Sequence, residues 1–214
     1  YQELKISIAR EEGTSELTNG IKAEDSCFDI FEKVSNDIYC ALEMTKNSLN
    51  RSELENAAQK LLTAEQIMIY GLGNSASVAM DFQHKLLRIG CRAAAFSDNH
   101  MQVISASHMN KNDVAVGISH SGSSKDIIDA LKTAKECGAT TISISNKGKS
   151  PIIKVSDIAL FTASNETEYS ILGLNSRIAQ LAIINSIYYY VANRKDVSSS
   201  AAELTERALQ NKKF

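Results

Sequence analysis

The chain has 214 residues, 43% of them apolar and 22% charged, which suffices for one good-sized α/β domain with added helices. A formal net charge of −2 leaves no overall electrostatic footprint for nucleic acid, so this piece is not built to grip DNA by itself. The cysteines, Cys27, Cys40, Cys91 and Cys137, form no Cys-x-x-Cys, the histidines show no metal-ligand spacing, and no apolar stretch approaches ~20 residues. The expectations are reduced core thiols in a cytoplasmic protein, no metal, no cofactor and no membrane span.

The first ten residues, YQELKISIAR, read as the last turns of a helix whose partners lie elsewhere, and EEGTSELTNGIKAED after them suits a linker. Phe31, Val34, Ile38, Leu42, Thr45 and Leu49 then predict one apolar face of a helix. Ser52 with Glu55 predicts a capping box that opens a second helix through Leu62.

From Ile67 to about Val191 the pattern alternates. IMIY (67–70) precedes a helix at 75–89, and CRAAAF (91–96) precedes one from about Asp98 to Met109. VAVGI (114–118) precedes a helix at 124–137, TTISIS (140–145) a short helix near Ser150 to Val155, and DIALF (157–161) a long one from about Leu172 to Asn193. Such alternation predicts an α/β fold, a doubly wound parallel sheet of five strands in the order 2-1-3-4-5 with helices on both faces. Its ligand crevice opens at the carboxyl ends of the first and third strands, where the strand order reverses. Ser200 with Glu203 predicts a capping box for a largely exposed terminal helix.

Those two strands run into the two segments that carry chemistry. Asp113 to Asp126, DVAVGISHSGSSKD, is an apolar run that breaks into Ser119, His120, Ser121, Gly122, Ser123 and Ser124 ahead of a helix. The first turn of a helix leaves N–H groups unpaired and carries partial positive charge, so hydroxyls gathered around it can hold the outer oxygens of a phosphate monoester. A plainer account makes Ser123 the helix cap, Asp126 its capping-box partner and Gly122 the turn, which leaves Ser119, Ser121 and Ser124 without a task.

The first strand ends in Gly71, Leu72, Gly73, Asn74 and Ser75. Its glycines permit close backbone approach to a ligand, and Asn74 and Ser75 place an amide and a hydroxyl at a helix start. The same Gly-x-Gly-x-x-Ala fits a dinucleotide fingerprint, for which Asp98 is the only ribose carboxylate available, but a pyrophosphate loop gives no reason for the second, serine-rich loop.

Gly-Leu-Gly-Asn-Ser (71–75), Ser-His-Ser-Gly-Ser-Ser-Lys-Asp (119–126) and Asn-Ser-Arg-Ile-Ala-Gln-Leu-Ala (175–182) resemble the sugar-isomerase (SIS) domain of RpiR-type bacterial transcriptional regulators. The resemblance runs from about Leu54 to Asn193. It implies a flavodoxin-like sheet, a phosphosugar effector, a homodimer or tetramer, and DNA binding by an N-terminal helix-turn-helix domain represented here by its last residues. It divides the chain into a helix-turn-helix remnant and linker (1–26), an SIS phosphosugar-binding domain (27–196) and a C-terminal helix (197–214). Carried over by residue, Ser75, Ser119, Ser121 and Ser124 hold the phosphate, Gly71, Gly73, Asn74 and Gly122 shape its loops, and His120 and Glu166 complete the phosphosugar site. Ser124 stands where SIS domains usually have threonine, and Ser170 where many relatives have arginine.

Two functions then compete. One is an effector-sensing domain whose bound phosphosugar modulates DNA binding. The other is an aldose–ketose isomerase, in which Glu166 or Glu168 moves a carbon-bound proton and His100 or His120 opens the ring. The helix-turn-helix remnant favours the sensor, with no catalytic residue.

Overall fold

Five short runs of Ile, Val and Ala, each closed by a turn residue, form the centre of the molecule. The computed structural model describes residues 21–164, 174–195 and 198–210. The strands are β1 (Ile67–Gly71), β2 (Ala93–Phe96), β3 (Val114–Ile118), β4 (Thr140–Asn146) and β5 (Ile158–Thr162). All pairings are parallel and the order is β2-β1-β3-β4-β5, as the alternating pattern predicts. β3 is buried along its whole length, which explains why its sequence runs apolar without a polar alternation.

The helices are α1 (Cys27–Ser48), α2 (Arg51–Thr63), α3 (Asn74–Arg88), α4 (Asn99–Ala106), α5 (Lys125–Glu136), α6 (Leu174–Ala192) and α7 (Ser198–Gln210), with a 3-10 helix at Pro151–Val155. Alternate strand residues feed two cores. Ile67, Ile69, Val116 and Ile142 face Leu61 of α2, Phe82 of α3 and Ile184 of α6. Tyr70 and Ala115 face Ala106 of α4, Leu131 of α5 and Ile152 of the 3-10 helix.

Helix ends differ from the sequence expectation in several places. Asn50, not Ser52, caps α2: its Oδ1 accepts from the N–H groups of Ser52 (2.9 Å) and Glu53 (3.3 Å), while Glu55 pairs with Arg51 at 2.9 Å. Asparagine is at least as good a cap as serine and stands two residues earlier. The terminal helix begins at Ser198, so Ser200 lies inside it rather than at its cap. Three serines in a row offer the helix no unique starting point in sequence. That helix is tied to the domain by Arg88 and Glu206 at 2.7 Å and by Ala201 against Gly90.

The inward face of α1 also differs. Its buried residues are Ala41 and Thr45, and Phe31 is 64% exposed, because only the carboxyl half of this helix reaches the body of the domain. Cys27 and Cys40 are exposed on the same helix and only Cys91 is buried, which corrects the expectation of four core thiols. Among the described residues no helix is long and apolar enough to cross a membrane.

Candidate phosphate-binding site

Gly71 and Ile118 are register partners on adjacent strands, so the chain leaves the sheet side by side after each of them. The glycine loop and the serine loop therefore start next to one another at the carboxyl ends of β1 and β3.

In the glycine loop the chain turns at Gly73, whose φ of 53° suits a residue without Cβ, and enters α3 at Asn74. Ser75 N donates to the Leu72 carbonyl at 3.0 Å, which draws the first turn of α3 down onto the strand end. A Cβ at Gly71 would lie 2.7 Å from the Ser75 carbonyl oxygen, so only glycine allows that approach. Ser75 is nearly buried and no side chain caps α3.

The serine loop is pinned on its outer side. Ser119 N donates to the Ile144 carbonyl (3.0 Å), Asn146 N to the His120 carbonyl (2.9 Å) and Ile152 N to the Gly122 carbonyl (3.0 Å). Gly122, at φ 62°, lies so close to Ser150 that an added Cβ would fall 2.4 Å from its Oγ. Ser119 Oγ and Ser124 Oγ are 3.1 Å apart, one from the strand end and one from the helix cap. Ser119 is buried and Ser121 exposed, so the hydroxyls run from the floor of the loop to its rim.

Ser123 is not the helix cap. The N-cap of α5 is Ser124, which makes no side-chain cap hydrogen bond, and the Ser123 hydroxyl donates instead to the Ser121 carbonyl at 3.3 Å. The capping account of these serines is therefore not realised. Two adjacent helix N-termini without a side-chain cap, bordered by Ser75, Ser119, Ser121 and Ser124, present N–H groups and hydroxyls suited to an anion with several oxygens.

Asp98 serves as the N-cap of α4, accepting from Met101 N at 2.9 Å, which takes away the ribose carboxylate that a dinucleotide site would need. His120 Nδ1 is buried and has no hydrogen-bond partner among the described residues. Tyr70, just below the glycine loop, is held neutral: burial pushes its hydroxyl up to about 12, against a smaller opposing pull from Ser105. No group of three His, Cys, Asp or Glu suited to a metal occurs among the described residues.

The structure thus brings Gly71, Gly73, Asn74 and Ser75 beside Ser119, His120, Ser121, Gly122 and Ser124. Glu166, Glu168 and Ser170 lie outside the described residues. Sequence reasoning assigned no individual role to the buried amides of Gln102 and Gln180. Gln102, fully buried, donates from Nε2 to the Phe96 carbonyl at 2.9 Å, beneath the carboxyl ends of β1 and β2. Gln180, 2% exposed, lies on α6 one turn before Ile183 and Ile184; its polar side chain in an apolar stripe was the available signal.

Residues 60–189 match the model of the SIS domain. An uncharacterized helix-turn-helix-type transcriptional regulator of Caldanaerobacter subterraneus subsp. tengcongensis is 42% identical over 91% of this chain and 70% of its own length. Among solved structures, the Vibrio vulnificus NanR protein complexed with ManNAc-6P has a TM-score of 0.82 at 24% identity, over 87% of this chain and 71% of that one. The sugar isomerase domain of an RpiR transcription factor from Sphaerobacter thermophilus has a TM-score of 0.72 at 23% identity, over 83% and 96%.

Proposed function

Because the chain belongs to the SIS domain family and shares most of its length with a helix-turn-helix-type transcriptional regulator, we propose that it is the effector-sensing part of such a regulator, binding a phosphosugar that modulates DNA binding. The observation that carries this reading is the pair of adjoining loops. Two helix starts with no side-chain cap are surrounded by hydroxyls, with no metal cluster among the described residues and no nucleotide carboxylate to spare.

In this reading Ser75, Ser119, Ser121 and Ser124 hold the phosphate, and Gly71, Gly73, Asn74 and Gly122 keep the loops in place. His120 and Glu166 meet the sugar. Residues 1–26 are the end of a helix-turn-helix domain and its linker, 27–196 the SIS domain and 197–214 a C-terminal helix. The regulator contacts DNA through its N-terminal domain and works in the cytoplasm, where phosphorylated sugars and the chromosome meet. It assembles as a homodimer or tetramer, the exposed Phe28, Phe31 and Tyr39 of α1 and Tyr189 of α6 supplying apolar contact surface.

A thermal-shift screen of sugar phosphates tests the reading. A ligand present at about 100 times its Kd should add about 2.7 kcal/mol of stability. The matching unphosphorylated sugars should add none, and a sugar that stabilises the protein equally with and without its phosphate would overturn the assignment.

A further inference from the structure

The segment Asn175–Ala182 forms the first half of α6, and neither the phosphate loops nor the two cores account for its polar residues. Along the buried face of this helix the character changes. Ile183, Ile184 and Ile187 are apolar and packed, whereas Asn175, Ser176 and Gln180 at the amino-terminal end are polar and also buried.

That end is the crevice end. Ser176 Oγ is 2.9 Å from Ser164 Oγ, just past the carboxyl end of β5, and α6 packs along α3, whose first residues belong to the glycine loop. Gln180 follows Ser176 by four residues and so lies on the same face, one turn further in.

Gln180 is 2% exposed, its Nε2 is buried, and its carboxamide makes no hydrogen bond among the described residues. A glutamine that served the fold would be expected to bond to it. A buried amide without a partner costs stability and persists where something else uses it. We propose that Gln180 is a specificity-determining residue that reads a ring hydroxyl of the phosphosugar. A hydroxyl both donates and accepts, matching the Oε1 and Nε2 of one carboxamide. The inference rests on the phosphosugar reading above: the serine loops hold the phosphate and Gln180 meets the sugar.

The test is Gln180→Met, which keeps length and volume and removes both polar atoms. Titrations use glucose 6-phosphate, fructose 6-phosphate and an N-acetylhexosamine 6-phosphate, with glycerol 3-phosphate as the phosphate end alone. The variant should melt no lower than the parent, since it removes an unmet buried amide. It should bind glycerol 3-phosphate within about twofold of the parent and lose about tenfold or more for the sugar phosphate that the parent prefers.

Equal affinity of variant and parent for that sugar phosphate, or an equal loss for glycerol 3-phosphate, overturns the role of Gln180 and leaves the sensor reading intact. If the variant melts lower than the parent, Gln180 supports the fold instead. A parent that binds no sugar phosphate overturns both readings. Should the variant fail to fold, the side-chain amide resonances of Gln180 in the parent decide: they should shift on adding the preferred sugar phosphate and stay put with glycerol 3-phosphate, and no difference between the two refutes the proposal.

Discussion

Thr45 and Ala163, far apart in sequence, satisfy one another: the Thr45 hydroxyl donates to the Ala163 carbonyl at 3.1 Å and accepts from the Ala163 N–H at 3.0 Å. Both residues are buried, so this exchange bolts the carboxyl half of α1 to the chain just past β5. Thr45→Val keeps the shape and leaves both backbone groups of Ala163 unmet. It should destabilise the domain by roughly 1–3 kcal/mol in urea melts, whereas Thr45→Ser should lose far less. Equal midpoints for Thr45→Val and the parent would show that the bolt contributes nothing.

Ser121 is the exposed member of the serine set, so its hydroxyl can be removed with little effect on the fold. Ser121→Ala should leave the melting temperature of the free protein within a degree or two of the parent's and weaken phosphosugar binding by roughly 1–3 kcal/mol, the usual cost of taking one partner from a charged acceptor. A thermal melt of the free protein and a calorimetric titration with ligand read the two sides of this expectation. Unchanged affinity would place the phosphate elsewhere.

Gly122→Ala tests the outer wall of the same loop. At φ 62° an L residue loses roughly 1–2 kcal/mol, and the new methyl would meet Ser150 Oγ at 2.4 Å. The variant should melt lower and bind phosphosugar poorly. Adding Ser150→Gly should recover part of the stability, because it relieves the contact with Ser150 but neither the 3.0 Å approach to Ile152 Cγ2 nor the backbone strain. Full recovery would mean that the φ requirement is unimportant.

Asp157 supplies a pH dependence. Burial alone pushes its carboxyl up, but the Lys135 side chain and the Thr141 N–H and hydroxyl outweigh it and hold it below the usual 3.8. Lys135 Nζ lies 2.7 Å from Oδ1, and both Thr141 donors lie 2.9 Å from Oδ2. A folded-state pKa below the unfolded value adds stability at pH values above 3.8, and that stability disappears as pH falls from there through the folded value. With the side chain 40% exposed, Asp157→Asn should cost about 1 kcal/mol near neutrality, after allowance for solvent screening. The difference from the parent should shrink as pH drops below 3.8, and a gap that stays constant with pH would assign it to something other than the charge.

A sensor binds without turnover. In deuterated water, fructose 6-phosphate, glucose 6-phosphate or an N-acetylhexosamine 6-phosphate incubated with the protein should exchange no proton at carbon 1 or 2 above the protein-free rate. Exchange that needs the protein and disappears in Glu166→Gln would establish an isomerase.

Much of this molecule was readable along the chain because the relevant forces act over a few residues. The apolar runs at Ile67, Val114 and Thr140, the glycine at position 73 and the serines at 119, 121 and 124 state strand, turn and helix start locally. Parallel strands with right-handed crossovers then leave few arrangements, and the order β2-β1-β3-β4-β5 follows. Caps were less legible: where Asn50 and Ser52 compete within one turn, each could satisfy the same orphan donors and sequence alone does not choose.

What only the tertiary structure decided is which polar groups find partners. The apolar spacing of α1 names a face, but Phe31 stays exposed while Thr45 goes inside, because burial depends on how much of the helix the rest of the domain covers. Asp98 reads as a candidate ribose ligand until Met101 N is found on it. Ser123 reads as the cap until its hydroxyl is found on the Ser121 carbonyl. Gln180 reads as one residue of a helix until its buried Nε2 is found to have no hydrogen-bond partner among the described residues. A hydrogen bond is met or unmet by atoms that folding brings from distant parts of the chain, and no local pattern of residues contains that information.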